Sequence, residues 1–342
     1  MITRYLLRLL ARRTLSTLFL LSIIYSLFDL SDTGRRLAPS LGWTTVLHAA
    51  VFHLPTIAVQ LMPVATLLGG VLVLASLHQR SELEALASLG VTPRRLGRSL
   101  LLLGLSATLG SLFVGEVIAP PLEQRADHLY GGRRASALTG QRSHEVTWLR
   151  RGPWFLRQGP KDTLLGIEVS NDFHITRRLE GRRQDATIRD VVEYRKEGSR
   201  TRHLRHSQTP FPALNLLNTI DRMSRGRAES HGIRELQQHR RLAAAIGRDA
   251  SFDNVFLHLR LTFPALNIVS ALILWALALG RARGARLYAI ATSWIALLWL
   301  ITAGGFLLAQ AGLLSPVAGT WGSLSLISGG AGIMLARAWP RG

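Results

Sequence analysis

Glu116 is the first residue whose type and surroundings suggest chemistry. It closes a long apolar run, within SLFVGEVIAPP at 111–121. A carboxylate at membrane depth is costly to keep charged, so such residues tend to be functional. His53 and Gln60 stand in a second apolar stretch. An imidazole can exchange a proton near neutrality, but both side chains can equally bond one helix to another. Ser143, His144 and Glu145 form a third, isolated run. These residues do not add up to a catalytic set. The chain has no GxxxxGK[ST] phosphate loop, no HExxH and no GxSxG. No apolar run offers a nucleophile or paired carboxylates. There is no cysteine, which removes thiolate metal sites, disulfides and thiol nucleophiles. Glu116 therefore reads as an interfacial residue that orients a turn into Pro120, and His53 and Gln60 as helix–helix hydrogen bonders. The chain is expected not to be an enzyme, with no catalytic residue, metal or cofactor of its own.

Binding chemistry is concentrated elsewhere, in HQRSELEALASLGVTPRRLGRS at 78–99, a polar island between apolar runs. Ser81 and Glu84 have the S-x-x-E spacing of a capping box, which satisfies two orphan amides at a helix start. Leu83, Leu86, Ala87 and Leu89 would form an apolar stripe. Gly90 suits a left-handed helix end. Thr92 would cap the next helix, with Pro93 at its first position. The spacing thus predicts a two-turn helix over 81–90 with a stop at each end. Two readings fit it: a tidy connection that packs on its own bundle, or a docking helix with Arg80, Glu82 and Glu84 as charged contacts. Sequence physics alone does not choose between them.

The elements that must carry this island are membrane spans. Of the 342 residues, 48% are hydrophobic and 18% charged, but the two kinds are segregated along the chain. Apolar runs of about 20 residues match the hydrocarbon thickness of a bilayer. Six are expected: Thr14 to Leu30, Val51 to Leu77, Leu96 to Ala119, Leu261 to Gly280, Leu287 to Leu308, and Val317 to Leu335. The first reads as an uncleaved span, with Tyr5, Leu6, Leu9 and Leu10 lying along the membrane surface before it. Pro55 and Pro63 in the second are tolerated where neighbours satisfy the freed carbonyls. Arginine sets the orientation. Segments 1–13, 78–98, 281–286 and 336–342 carry most of the short-loop arginines, whereas 31–50 and 309–316 hold only Arg35 and Arg36. Both termini are therefore expected in the cytoplasm, and the long segment between spans three and four outside. The formal net charge of +20 would suggest nucleic acid in a soluble protein. Here no interleaved aromatics support that, and topology signals and anionic head groups account for it.

The expected domains are 1–119 with three spans, 120–255 outside, and 256–342 with three more. In the outer block, short strand-like pieces recur at Val146 to Leu149, Trp154 to Arg157, Leu164 to Ser170, Asp185 to Ile188 and Val191 to Tyr194. Turn signals separate them, which suggests an antiparallel β domain. Residues 229–247 read as a helix returning the chain to the membrane.

Three stretches together, PVATLLGGVLVLASLHQRSELEALASLGVTPRRLGRSLLL, GEVIAPPLEQRA and LHLRLTFPALNIVSALILWALALG, resemble the LptF/LptG family of lipopolysaccharide export permeases. QRSEL, the GE-x-x-AP element and the Tyr130-Gly-Gly stretch resemble the LptG branch more than LptF. The resemblance implies a bacterial inner-membrane, six-span helical bundle with an inserted periplasmic β domain of jellyroll type. It implies a heterodimer of LptF with LptG and a cytoplasmic LptB-type ATPase dimer, which alone uses ATP and Mg. It further implies LptC- or LptA-type jellyroll partners, and lipopolysaccharide as cargo. By the same resemblance Arg80, Ser81, Glu82, Glu84, Leu86 and Gly90 would couple to the ATPase, with Glu82 as the main ion-pairing contact. Arg35 and Arg36 would meet the lipid's phosphates, for which guanidinium forks are suited; simple interfacial anchoring is the competing reading. Glu116 and Pro120 would form the family's E-x-x-x-P turn. The rival functions are a membrane-anchored sensor or adhesion protein without an ATPase partner, and a membrane enzyme acting on lipid.

Overall fold

The computed structural model describes residues 2–82, 85, 88, 92–130, 148–151, 154–158, 163–170, 174–184, 187–197, 200–210, 231–245, 251–280 and 282–339. The chain divides into two compact units, one of residues 1–130, 228–236 and 251–342, the other of 131–227 and 237–250.

The first unit is helical. Helix α1 (Ile2–Leu41) and helix α2 (Trp43–Gln79) are joined through Gly42, whose φ of 82° reverses the chain in a conformation that suits glycine. The two helices form an antiparallel hairpin in which the backbone of Thr14 lies against Gly69. A Cβ at Gly69 would sit 2.8 Å from Thr14 Cα, so only glycine permits that approach. The expected surface segment before the first span is absent. Helix α1 is continuous from Ile2, with Leu6 and Leu10 fully buried beside Leu67, Val71 and Leu74 while Tyr5 faces outward. Apolar residues at i and i+4 share a helix face, and the α2 groove gives that face something to bury against.

Helix α3 (Pro93–Phe113) runs into a π-helical segment (Val114–Ile118) and then helix α4 (Ala119–Tyr130). The expected turn at Glu116 and Pro120 is therefore not there. Pro120 and Pro121 fall in the first turn of α4, where a missing N–H costs least. The change of helical register at the π segment accommodates them without a break in direction.

After the inserted unit come helix α5 (Ile233–Ala245), helix α6 (Ser251–Leu279), helix α7 (Ala285–Gln310) and helix α8 (Pro316–Ala338). Helix α6 is the centre of the bundle, packed against α8, α3 and α2, with Leu266, Val269, Ile273, Leu274 and Leu277 all buried. Among the described residues, five helices are long and apolar enough to cross a membrane: α1, α2, α3 with its α4 extension, α6 and α7. Helix α8, the expected sixth span, is not among them. Its 23 residues reach about 34 Å, but its Gly and Ser content lowers its apolarity. It packs along α6 and α7.

Among the described residues the second unit holds an antiparallel sheet of six strands: β1 (Trp148–Arg151), β2 (Trp154–Gln158), β3 (Thr163–Val169), β4 (Ile175–Gln184), β5 (Thr187–Glu197) and β6 (Arg200–Pro210). Each strand pairs with its sequence neighbours, consistent with the jellyroll-like β domain expected. Leu179, Val191 and Glu193 are buried on one face, where Arg177 Nε donates to Glu193 Oε1 at 2.6 Å. Of the strands expected at 185–188 and 191–194, residues 187–188 and 191–194 belong to one strand, β5, and 185–186 lie outside the described residues. Strands β4 and β6 were not foreseen.

Candidate functional site

The polar segment begins where α2 ends. Arg80 N–H donates to Ser76 O at 3.2 Å and Ser81 N–H to His78 O at 3.1 Å, which closes α2. Ser81 is the only non-glycine residue with a positive φ, 53°, among the described residues. A side chain in this region costs roughly 1–2 kcal/mol, so a tight reversal is forced here. The next helix starts at once: Ala85 N–H donates to Ser81 O at 3.0 Å, and Glu82, Ala85 and Ser88 are helical. The start is where the capping pattern puts it, but Ser81 is left-handed rather than extended. Glu84, Leu86 and Gly90, with the stripe residues Leu83, Ala87 and Leu89, lie outside the described residues.

Arg80 Nη1 lies 3.7 Å from Glu82 Oε1, with side chains 73% and 36% exposed. A pair this open is worth well under about 1 kcal/mol. It thus leaves both charges available to something else. At the far end of the segment, Thr92 accepts from Arg95 N–H and Pro93 takes the first helical position of α3, as the sequence predicts.

The helices leaving this segment are fastened to α6 by groups that sequence reading passed over. Asn267 is fully buried; its Oδ1 accepts from Thr66 Oγ1 of α2 at 3.1 Å, and its Nδ2 donates to Ser111 Oγ of α3 at 3.3 Å and to Pro264 O at 2.9 Å. Thr108 Oγ1 reaches Pro264 O at 3.0 Å, and Ser270 Oγ reaches Pro63 O at 2.9 Å. In lipid a polar side chain has few other partners, so this cluster specifies how three helices meet. The one available signal was an Asn inside an apolar run, one helical turn after Pro264. Trp275 of α6 donates from Nε1 to Pro93 O at 3.2 Å. Gly69, Gly70 and Gly305 allow close helix approach, whereas a Cβ at Gly304, Gly329 or Gly332 would meet open space.

Glu116 organises the other end of α3. Its Oε1 accepts from Arg260 Nη1 of α6 at 3.1 Å and its Oε2 from Ile233 N–H at 2.7 Å. Arg260 Nη1 also donates to Gly115 O inside the π segment at 2.7 Å. The carboxylate thus caps the N-terminus of α5, where negative charge is favoured, and Glu235 completes the cap by accepting from Gly232 N–H at 3.3 Å. His53 is a helix–helix bonder as expected: it pairs with buried Glu123 of α4. These carboxylates have structural partners.

Arg35 and Arg36 are exposed near the hairpin turn between α1 and α2, with Arg36 Nη2 2.9 Å from Asp32. The 37-residue α2 puts about 55 Å between that turn and Arg80. The two sets are separate sites.

A profile of the lipopolysaccharide export system permease family, LptF/LptG, matches residues 4–337. The chain belongs to this family. Lipopolysaccharide export system permease protein LptG of Escherichia coli strain K12 is 32% identical over 141 residues, which is 39% of this chain and 37% of that relative. LptG of Escherichia coli O6:H1 matches to the same extent. The aligned stretch is thus little more than a third of either relative. In the family's terms, the helical bundle is a permease body, and Ser81, Ala85 and Ser88, exposed after α2, fall in the segment where a helix over 81–90 is expected.

Proposed function

We propose that this chain is a non-catalytic permease subunit of an ABC transporter that extracts lipopolysaccharide from the bacterial inner membrane. It works beside a paralogous permease subunit, and a separate cytoplasmic LptB-type ATPase dimer binds the 81–90 segment. Both termini and that segment lie in the cytoplasm. The inserted β domain lies in the periplasm and passes the lipid to LptC- or LptA-type jellyroll proteins, with α8 as the sixth span. The observation carrying this reading is the family match along residues 4–337. The helical start at Ser81 agrees with it, since Arg80 and Glu82 there bear open charges. Nucleotide-driven movement of the ATPase would displace the helix, and α2 and α3 with it, through contacts that differ between the ATPase's two states.

The test is co-purification. Glu82→Arg is expected to abolish recovery of the ATPase while leaving the bundle folded; association at the wild-type level would reduce the segment to a connection. Ser88 is exposed and the chain has no cysteine, so Ser88→Cys reports sidedness directly. Labelling from outside intact cells would refute the topology, and repeated recovery without an ATPase would favour a sensor.

A further inference from the structure

The geometry points to Trp275 as a positioning residue that carries movement of the 81–90 segment into α6. This rests on the reading that a partner moves that segment. Helices α2 and α3 are joined to the segment by the chain itself, but α6 is not; Trp275 and Pro93 are 182 positions apart.

Two features of the first turns of α3 form a receptor for one indole. The first is a carbonyl: Pro93 O accepts from Trp275 Nε1–H at 3.2 Å. The second is a missing side chain. A Cβ on Gly97 would come within 2.1 Å of Trp275 Cε2, so the ring occupies the space that any other residue would fill. Trp339, just past the end of α8, meets the indole edge-on from another side, with centroids 5.6 Å apart and planes at 71°. The ring is therefore held by a directional bond, by shape and by a third element. Pro93 is the first residue of α3 after the Thr92 cap, so any shift of the segment's exit arrives at the atom Trp275 holds.

From Trp275 the connection continues along α6 without slack. A Cβ on Gly70 of α2 would lie 2.3 Å from Leu274 Cδ1, and one on Gly104 of α3 2.7 Å from Ala271 Cβ. Ser270 and Asn267 then bond to α2 and α3. Packed contacts and hydrogen bonds of this kind do not stretch continuously. Helix α6 therefore follows α3 as one body.

The experiment uses the full permease–ATPase complex in lipid nanodiscs loaded with lipopolysaccharide. Trp275→Phe keeps a ring and deletes the N–H, while Trp275→Leu removes both. ATPase association and ATP turnover are expected to stay near wild type in each. Lipid extracted per ATP is expected to fall about twofold in the first and about fivefold or more in the second, a split between hydrolysis and work that a general folding defect would not give. In wild type, spin labels at Arg98 and Gly280 should keep their separation between nucleotide-free and vanadate-trapped states to within about 2 Å, the scale of a small helix shift. Wild-type lipid yield per ATP in Trp275→Leu, or a wild-type label separation that changes more than this, overturns the inference. If Trp275→Leu does not assemble, the Phe variant and the label pair still decide. Glu82→Arg run in parallel separates the two claims: ATPase association retained there sinks the underlying reading, and association lost there with full coupling in Trp275→Leu sinks only the role of Trp275.

Discussion

Replacing Asn267 by alanine tests whether the three central helices are bonded or merely packed. The side chain is fully buried and makes two inter-helix bonds, one from Thr66 at 3.1 Å and one to Ser111 at 3.3 Å. Inter-helix hydrogen bonds in membranes average about 0.6 kcal/mol, so the pair contributes about 1.2 kcal/mol. The vacated carboxamide volume adds roughly 1 kcal/mol of lost packing. The expected cost is about 2 kcal/mol, a factor of about 30 in the folded-to-unfolded ratio. Detergent-exchange unfolding, followed by helix content in mixed micelles, measures it. Asn267→Leu restores volume without the bonds and should cost about half as much, because the stranded hydroxyls of Thr66 and Ser111 can turn back to their own helix carbonyls. A cycle with Thr66→Val should return a coupling of about 0.6 kcal/mol. An alanine variant within about 0.5 kcal/mol of wild type, or a cycle with no coupling, would show that the network is incidental.

The same unfolding assay reads two further sites. Glu116→Gln keeps an acceptor for Ile233 N–H but loses the charge facing Arg260; at 25% and 14% exposure, the expected loss is roughly 1–3 kcal/mol after discounting for solvent. Glu116→Ala should cost more, and equal losses would mean the tie to α5 contributes nothing. Gly305→Ala would drive a Cβ to 2.0 Å from Ser323 Oγ and 2.2 Å from Gly319 O, an overpacking worth about 1–3 kcal/mol, whereas Gly304→Ala meets open space and should not destabilise. Equal effects at the two neighbours would contradict the packing. Arg35→Glu combined with Arg36→Glu should weaken photocrosslinking of lipopolysaccharide near the end of α1; unchanged crosslinking would make these arginines interfacial anchors.

What could be read from the sequence follows from the range of the physics. Thr92 capping Arg95 with Pro93 behind it is settled within four residues, and the structure has it. The long apolar runs are helices for the same reason: lipid leaves the backbone no other partner. Strands β2 and β3 matched because Trp154 to Arg157 and Leu164 to Ser170 carry their own β-formers. Strands β4, ITRRLEGRRQ, and β6, RTRHLRHSQTP, have compositions that suggest a solvated loop. Their state depends on pairing with β5, and β-propensity is largely such context. Leu6 and Leu10 could not be placed without knowing that α2 folds back on α1. Asn267 and Trp275 were opaque because their partners stand 156 to 201 positions away. The prolines at 120 and 121 misled in the opposite sense: read locally they end a helix, but in the first turn of a new one they are permitted.

The seams between helices differ in kind, and that bears on where the bundle can move. Helix α6 is joined to α2 and α3 by hydrogen bonds between side chains and to proline carbonyls, so sliding along either would strand polar groups in lipid. Helix α1 lies on α2 by close backbone approach at Gly69. Along α1 the hydroxyls of Thr14 and Ser22 are buried with no hydrogen-bond partner among the described residues. An unsatisfied buried hydroxyl is already unfavourable by about 1–3 kcal/mol, so displacing α1 has little polar bonding to lose at these points and could gain some. Between helices in a bilayer there is no hydrophobic drive to oppose separation, because lipid tails are as apolar as leucine. On the proposed reading, a force entering at Ser81 or Pro93 is opposed by more polar bonding within the α2–α3–α6 block than at Thr14 and Ser22, where α1 rests on it. Relative movement should open at that smooth seam, leaving the bonded block to travel intact.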